Sequence, residues 1–508
     1  MSINRLTRER LYKDEALFNQ LLPFARYDHD QGLFIHSDAS IWSMWELQPR
    51  WITSTSDIEA FQLSDSIQEM IDSFNETISV QMNWVTTFDV EDLLKETIDK
   101  YPSRGISGWM ARRWTQMLRR TANNGSFHMR PRKLRLIISF RFDPPWRART
   151  ALEQMQRALK VMIKGKTGVT TEERRKEYLE YANKFRGTIE GSVAKLSDLG
   201  LQPRKIHGQD LINILYPLLN RRSTKSGKFR RGRTTAIPVP VFDPNEFLSN
   251  QLSETHAEHP ENGILKKDGR YYRAVSLVKA PKQCLPLMIS PLQSSPYENI
   301  LSVTISKDSQ ADQMKRLDRL DQTLGFREFT GMGRANQKVQ HQISAIRAAR
   351  SELYSSRCQL VRVGVHQTFI CQTREEAMRA SSEAVATFPQ LNGARGMTHE
   401  VSDLGVIVSS LPGCYDPATD GPGWTTTMRS SRAVRLMPLW GNWKGSKGSL
   451  FTLPSLWNRE LVGFDFYDSD VAPNVLISGV SGAGKSYLLC YILITMNRGH
   501  YATMSTGR

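Results

Sequence analysis

The run Gly479-Val480-Ser481-Gly482-Ala483-Gly484-Lys485-Ser486 constrains this chain more than any other feature. It meets G-x-x-x-x-G-K-[ST] at every fixed position, which about one or two chains of this length in a hundred would do by chance. The pattern works only between a strand and a helix, and the flanks suit both. Asn474-Val475-Leu476-Ile477-Ser478 reads as a short buried parallel strand, and Tyr487 to Asn497 as a helix. Gly479, Gly482 and Gly484 let the backbone turn where a Cβ would obstruct, so successive N–H groups converge on one point. The helix start adds the positive end of its dipole. Such a loop binds the phosphates of a nucleotide, expected to be ATP. Lys485 is placed to neutralise the β- and γ-phosphates and is the catalytic candidate; the Ser486 hydroxyl is the candidate Mg²⁺ ligand.

A hydrolytic phosphate-loop enzyme also needs an acidic residue on a later strand. Only 22 residues follow Ser486, and none is Asp or Glu. The sequence therefore predicts a chain that holds the first elements of a motor domain and does not itself hydrolyse nucleotide.

A length of 508 residues exceeds what one core organises, so two or three domains are expected. Leu33–His36 and Ile41–Leu47 read as a hairpin, and Val80–Phe88 and Leu134–Phe142 as strands. Ile58, Phe61, Ile67, Met70, Ile71 and Phe74 recur at helical spacing, as do Tyr178, Tyr181, Phe185, Ile189, Val193 and Leu196. Residues 221–233 carry seven basic side chains and no acid, which fits a solvated linker better than a phosphate-binding loop. Beyond it, Tyr272–Val278, Ile300–Ile305 and Val361–Cys371 read as strands, with a capping box at Thr373 and Glu376. No repeat of fixed period is visible. The expected organisation is an α+β region in two parts, 1–233 and 234–420, then a linker and the beginning of a phosphate-loop α/β domain over 421–508.

No run approaches the roughly 18 apolar residues of a membrane span, and Met1 to Arg8 lacks the apolar core of a secretory signal. The five cysteines are scattered, with no CxxC, which argues against a disulfide framework or zinc ribbon. Lys and Arg number 68 against 51 acids, a net +17 that suits contact with phosphate groups of nucleic acid or lipid. Arg112, Arg113, Arg119 and Arg120 repeat at seven-residue spacing beside Trp114; a solvated helix face is the plainer reading, a lipid-head or partner contact the sharper one. His256, Glu258 and His259 lack a third ligand for zinc, and Trp440 and Trp443 suit packing at a domain junction.

Several stretches beyond the loop complete a pattern: Leu196-Ser197-Asp198-Leu199-Gly200, Tyr216-Pro217-Leu218-Leu219-Asn220, Ser410-Leu411-Pro412-Gly413, Pro438 to Gly445, and Leu461 to Phe466. In this order they resemble the large ATPases of type IV secretion and conjugative transfer, the VirB/TraC/TraU/Dot type. The resemblance covers most of the chain, but only the phosphate loop is specific by itself. It implies a cytoplasmic ATPase at the inner membrane face, working as a homo-hexamer against other components of the secretion machine. The N-terminal region would serve assembly, and a RecA-like C-terminal domain would hydrolyse ATP. One departure stands out: where the family tends to carry an acid before a glycine, this chain has Ser505 before Thr506-Gly507. Two other readings remain, a non-hydrolysing structural subunit and a DNA pump of the coupling-protein, FtsK or HerA class.

Overall fold

The most buried strands of this chain alternate apolar and amide side chains, as in Val80-Gln81-Met82-Asn83-Trp84, so one sheet face must supply polar partners. The computed structural model describes residues 18–52, 55–99, 101, 105–124, 130–144, 171–220, 239–253, 255–307, 359–400, 403–418, 424–443, 445–446, 451–455, 459–465 and 476–493, with single positions between 308 and 358.

The first half begins with β1 (Phe24–Asp28), β2 (Leu33–His36) and β3 (Ile41–Leu47), followed by the two-residue β4 (Arg50–Trp51). Helix α1 (Asp57–Asp72) opens on a capping box in which Ser56 and Glu59 satisfy each other's backbone N–H, and it buries Leu63, Ile67, Met70 and Ile71. Then come β5 (Ile78–Thr87), α2 (Glu91–Asp99), α3 (Ile106–Asn124), β6 (Lys133–Phe142), α4 (Thr171–Asp198), β7 (Arg204–Lys205) and α5 (Gly208–Leu219).

After α6 (Leu248–Leu252) the order of the sheet strands returns. The chain runs β8 (Ala257–Glu261), β9 (Ile264–Lys267), β10 (Arg270–Lys279), α7 (Ser290–Gln293), β11 (Asn299–Ser306), β12 (Leu360–Cys371), α8 (Arg374–Thr387), β13 (Arg395–Thr398) and α9 (Asp403–Ser410). These strands without β4, and with one further strand that comes later in the chain, form a 13-stranded sheet whose main path runs β1-β2-β3-β6-β5-β11-β12-β10-β9-β8. Read outward from its middle, each half gives the same path, and β7 pairs β3 as β13 pairs β10. The central pair, β5 with β11, is antiparallel from Thr86↔Asn299 to Val80↔Ile305. The fold is thus an internal duplication about an approximate two-fold axis normal to the sheet. Strands from both sides of the expected boundary at 233 pair edge to edge in this sheet, and the basic stretch 221–233 lies outside the described residues.

Helices cover both faces. Val80, Met82, Trp84, Leu301, Val303 and Ile305 join a core with Phe185, Ile189 and Leu196 of α4 and Ala377 and Ala380 of α8. The opposite face packs Leu211, Ile212 and Leu215 of α5 and Val406 and Ile407 of α9. Thr373 caps α8 as expected, accepting from Glu376 N, but the Glu376 carboxylate accepts from Gln372 N rather than closing the box on Thr373.

At the middle of that second face lie the amides, and Ser409 to Asp416 crosses them. Gln81 Nε2 donates to Ser409 O, Leu411 O and Ser302 Oγ at 2.9, 3.0 and 3.0 Å, and Gln81 Oε1 accepts from Gly413 N. Asn83 Nδ2 donates to Ser410 O, Ser410 Oγ meets Thr368 Oγ1 at 2.7 Å, and the Tyr415 hydroxyl donates to Ser306. Gly413 sits at φ +76° between Met44 and Phe24, where an added Cβ would be strained and crowded. Ser410-Leu411-Pro412-Gly413 is therefore a buried strap joining both copies.

Beyond the strap, β14 (Thr425–Arg429) adds to β12, and α10 (Ser430–Val434) packs on α1. Then β15 (Trp440–Gly441) pairs in parallel with β4, and β16 (Phe451–Pro454) with β17 (Leu461–Phe464) makes a hairpin. Trp440 is buried in the core, and Trp443 contacts Trp51 and Phe464, so both tryptophans pack.

Candidate nucleotide-binding loop

The loop leads into a helix, α11 (485–493), and the turn before it has the backbone its glycines permit. Gly482 and Gly484 stand at φ +82° and +84° with nothing within 4 Å of an added Cβ, so conformation rather than space demands glycine there. Ala483 N closes the turn on Val480 O, and Leu488 N bonds Gly484 O as the helix starts. Lys485 folds back over the loop, with Nζ donating to Gly479 O at 2.6 Å and Val480 O at 2.7 Å. An incoming phosphate would offer that ammonium a full negative charge in exchange for two carbonyl dipoles. Ser486 follows in the first helical turn with its side chain exposed, and Val480, Ser481 and Ala483 are exposed as well. A hydroxyl beside a lysine at a helix N-terminus would suit Mg²⁺, which would offset phosphate charge if both were bound.

One expectation is corrected. Residues 476–480 are not in a strand, and Leu476 is 91% exposed; Asn474 and Val475 lie outside the described residues. A strand persists only where its N–H and C=O groups are paired, and no described strand pairs with this segment. Ser505 also lies outside the described residues.

The loop helix is anchored at its far end. Tyr491 and Ile492 are buried against Met110 and Trp114 of α3 and against Leu453 and Phe464 of the β16–β17 hairpin. The Tyr491 and Trp114 rings lie 5.4 Å apart, and Trp114 Nε1 donates to Thr452 O at 2.9 Å. Burial raises the Tyr491 phenol above its ordinary pKa, with Tyr101 and Tyr487 adding to it, so it stays neutral in this contact. In sequence Trp114 stood out only as a neighbour of arginines; the signal for its role was the apolar pair Tyr491-Ile492, one turn beyond the motif.

The remaining candidates separate. Arg119 makes a bidentate pair with Glu91, whereas Arg112, Arg113 and Arg120 are exposed on α3. His259 meets Asp403 at 2.7 Å and Glu258 meets Lys266, so His256, Glu258 and His259 do not converge. Among the described residues no three His, Cys, Asp or Glu side chains are grouped to hold a metal. No described helix is long and apolar enough to cross a membrane.

Sequence reasoning missed the polar centre of the sheet and a buried guanidinium beside it. Arg141 donates to Asp143, Asp38 and the Tyr415 carbonyl, and pairs with Asp416 at 3.0 Å. Burial opposes the guanidinium charge, but Asp416, Asp143 and Asp38 hold the Arg141 pKa above its ordinary value. Its signal was an arginine inside the apolar run Leu134 to Phe142.

No curated protein matches the chain. A family model described as TraC protein matches residues 18–414, from the first described residue through both copies of the sheet and into the strap. That match ends before the phosphate loop, so the loop and the family are independent observations. Because it takes in well over half the sequence, the chain belongs to the TraC family of type IV conjugative transfer proteins.

Proposed function

We propose that this chain carries the nucleotide-binding loop of the ATPase that energises a conjugative transfer machine, the rest of the motor domain being absent from it. The carrying observation is the loop Gly479–Ser486: two glycines at positive φ, a lysine folded over the turn, and a hydroxyl opening the helix. That set suits the phosphates of a nucleoside triphosphate with its Mg²⁺, and the family resemblance makes ATP the nucleotide. Anchorage of the loop helix on α3 ties the loop to a helix that lies within the span the family model matches. Family resemblance adds the setting: the cytoplasmic face of the inner membrane, a homo-hexamer, and partners among the other transfer components.

The test is Lys485→Ala. Equilibrium titration of the purified chain with Mg-ATP should give saturable binding that the substitution weakens at least tenfold. Donor cells carrying it should lose DNA transfer while keeping normal protein levels and machine assembly. Undiminished transfer would sink the energising role and leave a structural subunit.

A further inference from the structure

Helix α3 carries two apolar stripes, and the described protein uses one. Gly108, Ala111, Thr115 and Leu118 follow helical spacing and are buried. On the other side Ile106, Trp109, Arg113, Met117 and Arg120 follow steps of three, four, four and three, which places them in one line along the helix. Ile106 is 72% exposed, Trp109 61% and Met117 47%, with Arg113 and Arg120 exposed between and beyond them. The 19 residues of α3 contain no acid. Among acids of the neighbouring α2, Glu91 is held by Arg119 and Asp92 by Lys133, which keeps two carboxylates engaged away from the stripe.

We propose that this stripe is a docking surface for an anionic lipid bilayer, with the axis of α3 lying along the membrane plane. Trp109, with Ile106 and Met117, would enter the interfacial zone, where an indole is favoured. Arg113 and Arg120 would meet lipid phosphates at the same level. A nucleic-acid backbone would satisfy the arginines but gain nothing from Ile106 and Met117, which is why lipid is the favoured partner. Docking here sets the membrane against the helix whose inner face holds Trp114 and, through it, the phosphate-loop helix. The inference goes beyond the ATP reading and stands on the surface chemistry of α3 alone.

Flotation of the full chain with phosphatidylcholine vesicles, with and without phosphatidylglycerol, tests it. Binding is expected only to the anionic vesicles and should fall with salt. Arg113→Glu with Arg120→Glu should lower partitioning about thirty-fold or more, from roughly one kcal/mol lost per arginine. The milder pair Arg113→Gln and Arg120→Gln should lower it in the same direction with an unchanged thermal melt. Brominated acyl chains should quench tryptophan fluorescence in the wild type and lose most of that quenching in Trp109→Phe. Lys485→Ala should float like wild type, so failure of the ATP reading leaves this result intact. Equal binding to neutral vesicles, no binding at all, charge-reversed protein that floats normally, or arginine-dependent capture of single-stranded DNA without vesicle binding would each overturn the assignment.

Discussion

Replacing Arg141 with Met tests whether the strap and the two sheet copies form one unit. Arg141 is 1% exposed and faces three carboxylates, Asp38 and Asp143 at 2.9 Å and Asp416 at 3.0 Å. Methionine fills much of the space but leaves those carboxylates without their cation and the Tyr415 carbonyl without its donor. Breaking a buried ion pair by removing one partner costs about 3–5 kcal/mol. The pH dependence gives the sharper check. In the wild type, burial pushes the Asp38 carboxyl up, but Arg141, His36 and hydrogen bonds from Ser40 together hold it below the usual carboxylate range. Its contribution is therefore present above the unfolded pKa and lost as pH falls through the folded one. Asp143 is already lifted, because burial outweighs Arg141. Without the guanidinium, burial lifts both, so the folded mutant holds more protons than the unfolded chain in the weakly acidic range. The deficit should then shrink by up to about 3 kcal/mol per proton between about pH 7 and pH 5. Urea unfolding followed by circular dichroism at the two pH values reads this, with proteolysis near residues 409–418 reporting local release of the strap. A loss below about 1 kcal/mol, or one that does not change with pH, would refute the account.

Gln81→Leu strands Ser409 O, Leu411 O and Gly413 N together, and should cost about 2–4 kcal/mol in the same assay despite the apolar gain. Tyr491→Ala should leave the sheet melt unchanged while speeding hydrogen exchange across α11 and weakening Mg-ATP binding, because the loop helix loses its buried anchor. Gly484→Val, at φ +84°, should weaken nucleotide binding at least as much, with the strain of about 1–2 kcal/mol confined to the loop; normal affinity would argue against the turn described.

Periodicity was enough to read the units but not their kinship. The hairpin at Leu33–Leu47, the α1 and α4 stripes and the strands β5, β6, β10, β11 and β12 stand where the apolar spacing places them. The duplication is invisible to a scan for fixed period because the interval drifts: Phe24 answers to Ala257, yet Arg204 answers to Arg395. Side chains differ as well, since α4 fills its side of the core with Phe185 and Ile189 where the shorter α8 uses alanines. The glycine turn that opens α11 was legible because its signal is local, fixed within eight residues. Its anchor on Trp114 was not, since nothing in a one-dimensional pattern couples residue 114 to residue 491. The strap shows the same limit. Its serines and glycine mark a turn in sequence, and only the sheet reveals that Gln81 and Asn83 wait for them.

Duplication alone would let each copy fold by itself, but the polar contacts argue otherwise. Gln81 and Asn83 belong to the first copy, Ser302, Ser306 and Thr368 to the second, and the strap that satisfies them follows the second. A first copy made by itself would lack α9 and the strap, baring the sheet face that they cover around Gln81 and Asn83, and would leave Arg141 without Asp416. It would also bare the full edge of β5, whose N–H and C=O groups pair with β11 over seven residue positions. Residues 1–238 expressed alone should therefore aggregate or remain partly unfolded, and co-expression with 239–508 should restore a soluble complex. A first half that melts cooperatively as a monomer would show that the copies are independent domains and that the strap merely decorates their junction. The expected failure would instead make the central seam the step that commits the chain to its fold, since neither copy can satisfy its own centre.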